Sequence, residues 1–331
     1  MGGGFYSHDF EEEIKARHKA TGADPYKYTA SVRSGTAARA IHPTLDPRGT
    51  TRESRDSADH PRSVPIALAL DETGSMEAVC RSILDNLGTS IDVILKKGYL
   101  PDPQVCPCAF GDARCGEAAP VQVGQFESDN RIRDHFANVL IENGGGGQRP
   151  PSESVAQLAW FLAHRTRHDA YEKRGRPGYA FFFTDEQAYS MSSDECELLF
   201  GVRCEGVQTP EMIFAELRKL YTPFVVIPRD ASNGRDPQVE NYWVKLVGRE
   251  YVIMLDDSGA AAETVAAVIG MNEGTVDEAG LAADLASAGV STALVPVVQS
   301  AVSHLAGRGL ARTSGGGKLA PGKGKSGTER L

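Results

Sequence analysis

The segment Val64-Pro-Ile-Ala-Leu-Ala-Leu-Asp-Glu-Thr-Gly-Ser-Met76 constrains the fold more than any other part of this 331-residue chain. Its apolar half, Ile66 to Leu70, is short and continuous, the pattern of a central parallel strand covered on both faces. Asp71, Thr73 and Ser75 then alternate where the strand ends, and open α/β sheets gather ligands at the carboxyl ends of their strands. A carboxylate and two hydroxyls in that position suit a hard cation. Mg2+ takes oxygen ligands at roughly 2.0–2.1 Å and keeps several waters when the protein supplies few groups. Mn2+ and Ca2+ accept the same donors. The plainer role for Asp-x-Thr-Gly-Ser is a strand-to-helix cap.

The rest of the chain repeats the strand-then-helix alternation. Met76, Val79, Ile83, Leu84, Leu87, Ile91 and Ile94 recur at three- and four-residue steps, which predicts an amphipathic helix closed near Gly98. Strands are expected at Val105–Phe110, Val121–Phe126, Tyr179–Phe183, Phe224–Pro228 and Tyr251–Leu255. Helices are expected at Asn130–Glu142, after Ser154, from Thr209-Pro210 and at Ala260–Ile269. The sum is an α/β fold, a doubly wound and mostly parallel central sheet flanked by helices.

Two later segments sharpen the reading of the first. Asn143-Gly-Gly-Gly-Gly-Gln-Arg-Pro-Pro-Ser-Glu-Ser154 strips side chains from a loop that enters a helix, so backbone can approach an ion closely. A flexible connector has the same composition. Tyr179-Ala-Phe-Phe-Phe-Thr184-Asp185-Glu186 is an aromatic buried strand ending in a carboxylate. With Asp71-Glu-Thr73-Gly-Ser75, these segments resemble the von Willebrand factor A family, whose metal-ion-dependent adhesion site begins with an Asp-x-Ser-x-Ser turn. Thr73 stands here for the family's first Ser.

The resemblance covers about Val64 to Gly270 and implies that Thr73 and Ser75 touch the metal, while Asp71 and Asp185 act largely through water. The family's Gly-rich loop usually adds a Thr, and this one has none. Gln148 and Ser152 are the nearest replacements, with Ser154 beyond, so the loop is expected to give one weak neutral ligand and the ion only modest affinity. Asp185 takes the role of the carboxylate ending the family's central strand.

Residues 1–62 read as a polar, largely extended arm with one helix at Asp9–Thr21, ahead of a domain at 63–272. A C-terminal helical segment follows at 273–306, with Thr275-Val-Asp-Glu278 as a capping box and a second helix near Pro296. Residues 307–331 read as a disordered, basic, Gly-rich tail. The net charge is −9. The tail sets Arg308, Arg312, Lys318, Lys323, Lys325 and Arg330 against Glu329, a balance of +5 that leaves −14 on the rest. An acidic body argues against a nucleic-acid groove and is compatible with cation binding.

No apolar run of about 18 residues and no signal-peptide pattern occur, which points to a cytoplasmic protein. The cysteines at 80, 106, 108, 115, 196 and 204 match no zinc-site spacing and are expected to be free thiols. The function expected is therefore a non-enzymatic, divalent-metal-dependent protein-binding module whose partner contributes an acidic residue to the ion. A metal-dependent hydrolase is the first alternative. It requires a general base, and only Glu72 and Glu186 neighbour the expected ligands. A nucleic-acid-associated scaffold using the tail is the second.

Overall fold

The computed structural model describes residues 4–146 and 149–306. Gln148 and the basic tail lie outside the described residues. The main sheet contains β1 (Ser63–Asp71), β2 (Asp102–Phe110), β3 (Val121–Val123), β4 (Gly178–Phe183), β5 (Tyr221–Pro228) and β6 (Val252–Leu255). The spatial order is β3-β2-β1-β4-β5-β6, and every pairing is parallel except that of β2 with β3. This is a doubly wound order, the fold class expected, with its switch point between β1 and β4.

In chain order the helices are α1 (His8–Thr21), α2 (Lys27–Arg33), α3 (Glu77–Lys96), α4 (Arg131–Ala137), α5 (Val155–His164), α6 (Asp169–Arg174), α7 (Ser193–Phe200), α8 (Pro210–Leu220), α9 (Pro237–Val247), α10 (Ala261–Glu273), α11 (Glu278–Ser287) and α12 (Val295–Val302). Alternation along β1 explains why both faces are covered. Ile66, Leu68 and Leu70 join the core that holds Val79 and Ile83 of α3, Val265 of α10 and Val298 of α12. Ala67 and Ala69 turn to Leu158 of α5, Phe214 of α8 and Trp243 of α9. β4 divides the same way, Tyr179, Phe181 and Phe183 on one face and Ala180 and Phe182 on the other. Each such large side chain, fully buried, contributes roughly 1.5–3 kcal/mol.

The N-terminal segment is less extended than expected. It holds two helices and a strand, Arg52–Ser54, that pairs in parallel with Thr166–His168. Tyr26 and Leu45 are part of the core. The Tyr26 hydroxyl donates to the Cys80 carbonyl at 2.6 Å, Val123 N donates to the Leu45 carbonyl at 2.8 Å, and buried Glu11 pairs with Arg133. An arm that supplies core residues cannot read as apolar in sequence, because each contributes singly rather than with a period.

Leu281, Leu285 and Val298 of the C-terminal helices belong to the same core as β1, so these helices complete the domain. The cap of α11 is Asp277, which accepts from Gly280 N, rather than Thr275. Thr275 Oγ1 instead donates to the Gly270 carbonyl that ends α10. The expected helix at Asn130–Glu142 stops at Ala137, and Val139 to Ile141 continue as extended chain tied to Thr29 and Gln122.

Besides α2, the helices α6, α7 and α9 were not expected. Ser192 caps α7 inside the polar insert that follows β4, and Asp236 and Pro237 start α9. Both starts carry ordinary helix-entry signals.

Candidate metal centre

β1 and β4 run in register, Leu70 beside Phe183, so the residues after each emerge side by side at the carboxyl edge. Asp71 is fully buried there. Its Oδ1 accepts from the Thr73 amide at 2.9 Å and the Thr73 hydroxyl at 2.6 Å, and its Oδ2 from the Thr184 hydroxyl at 3.1 Å. Asp185, also fully buried, accepts from the Ser75 hydroxyl at 3.0 Å and from Asn233 N at 2.7 Å. Asn233 lies between β5 and α9 and also reaches Glu186. The sheet therefore brings Asp71, Thr73, Ser75 and Asp185 into one hydrogen-bonded group. Each hydroxyl gives its proton to a carboxylate, which leaves its lone pairs for a cation.

Ser152 and Glu153 pair with Gln187 and Ala188 in a short parallel ladder before α5. Neighbouring residues of extended chain point to opposite sides. The Ser152 hydroxyl donates to the Pro150 carbonyl at 2.9 Å within its own loop. Ser154 is engaged as well, by Tyr189 OH at 2.7 Å and Ala113 N at 3.0 Å. The loop's residue at the site is Glu153, fully buried, with both carboxylate oxygens unpartnered. A Cβ built on Gly145 would stand 2.8 Å from both Glu153 Oε1 and Thr73 Cγ2, which shows how closely this loop covers the turn.

Where one weak neutral ligand is expected from this loop, the structure places the carboxylate of Glu153 against Thr73. Nothing in Ser152-Glu-Ser154 marks Glu153 as a buried acid, so the sequence points only to the loop's neutral oxygens.

More acid surrounds this group than the motifs indicated. Burial first, and then the facing Asp185, push the Asp71 carboxyl up to about 8. Burial and then Asp71 and Glu186 raise Glu153. Burial, followed by Asp185 and Asp112, takes Glu186 up to about 7. Carboxylates perturbed in this direction are held together without matching cations. Orphaned buried oxygens on Glu153 and Glu186, two hydroxyls and two strand-end aspartates fit a hard divalent ion. Thr73, Ser75, Asp71, Asp185 and Glu153 would hold it, and it would supply a Lewis-acidic centre for an incoming oxygen ligand.

Among the described residues, the three carboxylates that lie within 4.8 Å of one another are Glu72, Glu117 and Glu142, beside this group rather than in it.

The turn is deep at one end and open at the other. Asp71 and Thr73 are buried, Ser75 is half-buried, and Gly74, Asn143 and Gly144 are exposed at the rim. Four histidines have contacts elsewhere: His60 with the Gly4 carbonyl, His168 at the cap of α6, His42 with Thr44 and His164 against Trp160. Cys106 and Cys108 are buried in the core, Sγ to Sγ 3.6 Å, while exposed Cys115 donates to Asp112. No helix among the described residues is long and apolar enough to cross a membrane.

No family model matches the chain. No curated protein matches it in sequence. Among solved structures, it is similar to the pilus adhesin SpaC from Lactobacillus rhamnosus GG in its open conformation, at 10% identity and a TM-score of 0.44, over 68% of this chain and 31% of that one. It is also similar to proximal thread matrix protein 1 from the mussel byssus, at 12% identity and a TM-score of 0.42, over 66% of this chain and 48% of that one. The chain thus spans about a third of the adhesin and about half of the byssus protein.

Proposed function

We propose that this chain is a divalent-metal-dependent protein-binding module of the von Willebrand factor A type, without enzymatic activity, working in the cytoplasm. The observation that carries the proposal is the convergence of Asp71 and Asp185 at the switch point, each holding one hydroxyl of the same turn. Such a site binds Mg2+ on its buried side and presents the ion past half-buried Ser75 at the exposed Gly74 rim, where an acidic residue of a partner completes the coordination. Without the ion, a carboxylate approaching this acidic edge meets only repulsion, so the metal gates binding. Glu72 turns away from Asp71 toward Glu117 and Glu142, so of the two candidate bases a hydrolase would need only Glu186 lies beside the Asp71 group, with Oε1 on Asn233 and Oε2 unpartnered.

Immobilised protein challenged with cell extract in Mg2+ and, separately, in EDTA tests this reading. Partner capture is expected in Mg2+ alone and is lost in Asp71→Ala. Equal capture in EDTA would overturn it.

A further inference from the structure

We propose that Glu72, Glu117 and Glu142 form a second divalent-cation site, of calcium type, beside the Asp71 group. Glu72 follows Asp71 at the end of β1, and the alternation that turns Asp71 toward Asp185 turns Glu72 the other way. Glu72 is fully buried, with Oε2 accepting the Glu142 amide and Oε1 unpartnered. Glu117 Oε2 accepts the Asp112 amide at 2.6 Å, and its buried Oε1 has no partner. Glu142 accepts the Ala119 amide at 2.7 Å and pairs with Arg39 at 2.6 Å, its side chain only 2% exposed.

Three carboxylates thus meet one guanidinium, and that one is 60% exposed. With all three carboxyls ionised the uncompensated charge is two negative, which a single dication cancels. An unpartnered buried carboxylate is costly unless it is paired or bound to a metal.

The donor set selects the ion. Three glutamates whose ligand oxygens all lie within 4.8 Å of one another make an all-protein carboxylate cage, which suits Ca2+ with its several oxygen ligands in flexible geometry. Mg2+ more often takes one or two carboxylates and keeps its waters. Calcium's flexible coordination also tolerates the fixed amide bonds that hold each glutamate.

Glycines keep the space open. A Cβ on Gly111 or on Gly144 would run into the Glu117 carboxylate. Gly144 therefore covers this group while the next residue, Gly145, covers Glu153 and Thr73, so one short loop touches both groups.

The inference goes beyond the adhesion-type reading and is tested separately from it. Calorimetric titration of the full chain with Ca2+, in Mg2+ sufficient to saturate the Asp71 group, is expected to show one further site per chain. Glu117→Gln and Glu72→Gln are each expected to weaken that Ca2+ binding on the order of 100-fold or more while leaving Mg2+ binding in place. In EGTA the melting temperature of Glu117→Gln should equal or exceed that of the wild type, and the Ca2+-dependent rise seen in the wild type should vanish. Glu117 is the safer variant should buried Glu72→Gln fail to fold. Absence of Ca2+ uptake in the wild type, or wild-type Ca2+ affinity in Glu117→Gln, overturns the proposal. Ca2+ uptake that persists in Asp185→Ala but is lost in Glu117→Gln supports it, even if Mg2+ and partner binding prove absent.

Discussion

The two ends of β1 carry the same kinds of charged residue in opposite states. At the amino end Asp56 receives both the amide and hydroxyl of Ser63 and pairs with Arg174 at 2.6 Å. Asp169 pairs with Arg55 at 2.8 Å and Lys173 at 2.7 Å, and Arg55 also holds Glu53 and Glu172. Burial works to raise Asp169, but Lys173, the Asp56 amide and Arg55 outweigh it and hold the carboxyl at about 2. At the carboxyl end, Asp71, Glu153 and Glu186 are all raised, because burial and neighbouring acids act without a facing cation. One end is neutralised by the chain itself. The other is built so that something from outside must neutralise it.

That difference is open to breakage, and the largest expected effect comes from matched amide substitutions. Asp185→Asn is expected to lower Mg2+ affinity on the order of 100-fold, roughly 2.7 kcal/mol of binding. It should leave the chelated protein no less stable than the wild type, since it removes charge facing Asp71. Asp169→Asn should cost roughly 1–3 kcal/mol of stability with or without metal, because it strips charged hydrogen bonds from Arg55 and Lys173. Calorimetric titration and chemical denaturation in both conditions check this pair. If Asp185→Asn destabilises the chelated protein as much as Asp169→Asn does, the carboxyl end is as self-sufficient as the amino end.

The pH dependence sharpens the same contrast. Carboxyls raised in the folded state bind more protons there than in the unfolded chain, so stability falls as pH rises through their folded values. For Asp71, near 8, and Glu117 and Glu186, near 7, the fall begins at about pH 4, where the unfolded carboxyls lose their protons, and ends at about pH 7–8 in EDTA. Between about pH 4 and 6.5 lowered histidines such as His168 oppose the fall by adding stability with rising pH, so the carboxyls act without that opposition only above about pH 6.5. The slope of the fall approaches about 1.4 kcal/mol per pH unit for each proton released. Saturating Mg2+ and Ca2+ should flatten it. Asp169, already charged, contributes nothing there and loses its stabilisation only as pH falls toward about 2. Denaturation curves that keep the same slope with and without cations would remove the distinction.

The smallest effect expected separates two neighbouring glycines. Gly145 and Gly146 both hold positive φ, 89° and 92°, so alanine costs each roughly 1–2 kcal/mol in backbone strain. Only at Gly145 does the added Cβ meet Glu153 and Thr73, while nothing lies within 4 Å at Gly146. Gly145→Ala should weaken Mg2+ binding roughly tenfold, about 1.4 kcal/mol, and Gly146→Ala should leave it unchanged. Equal affinities in the two variants would place the loop outside the metal site.

The sheet, its flanking helices and the strand-end residues Asp71, Thr73, Ser75 and Asp185 were legible because each depends on local pattern. A continuous apolar run marks a buried strand, and a three-to-four residue period marks a covering helix. The same patterning placed two aspartates at strand ends, and their meeting followed once β1 and β4 were neighbours. Glu153 and Glu117 were not legible, because nothing in Ser152-Glu-Ser154 or Gly116-Glu-Ala118 distinguishes a buried acid from a solvated one. Their burial comes from loops folding over the sheet edge, a matter of contacts between segments far apart in the chain. The arm's share of the core, through Tyr26 and Leu45, was hidden for the same reason. Local periodicity determined which segments are strands and helices. The balance of charge at each end of β1 was decided only by tertiary structure, since the Coulomb energy of a buried acid depends on what stands within a few ångströms of it and not on its neighbours in sequence.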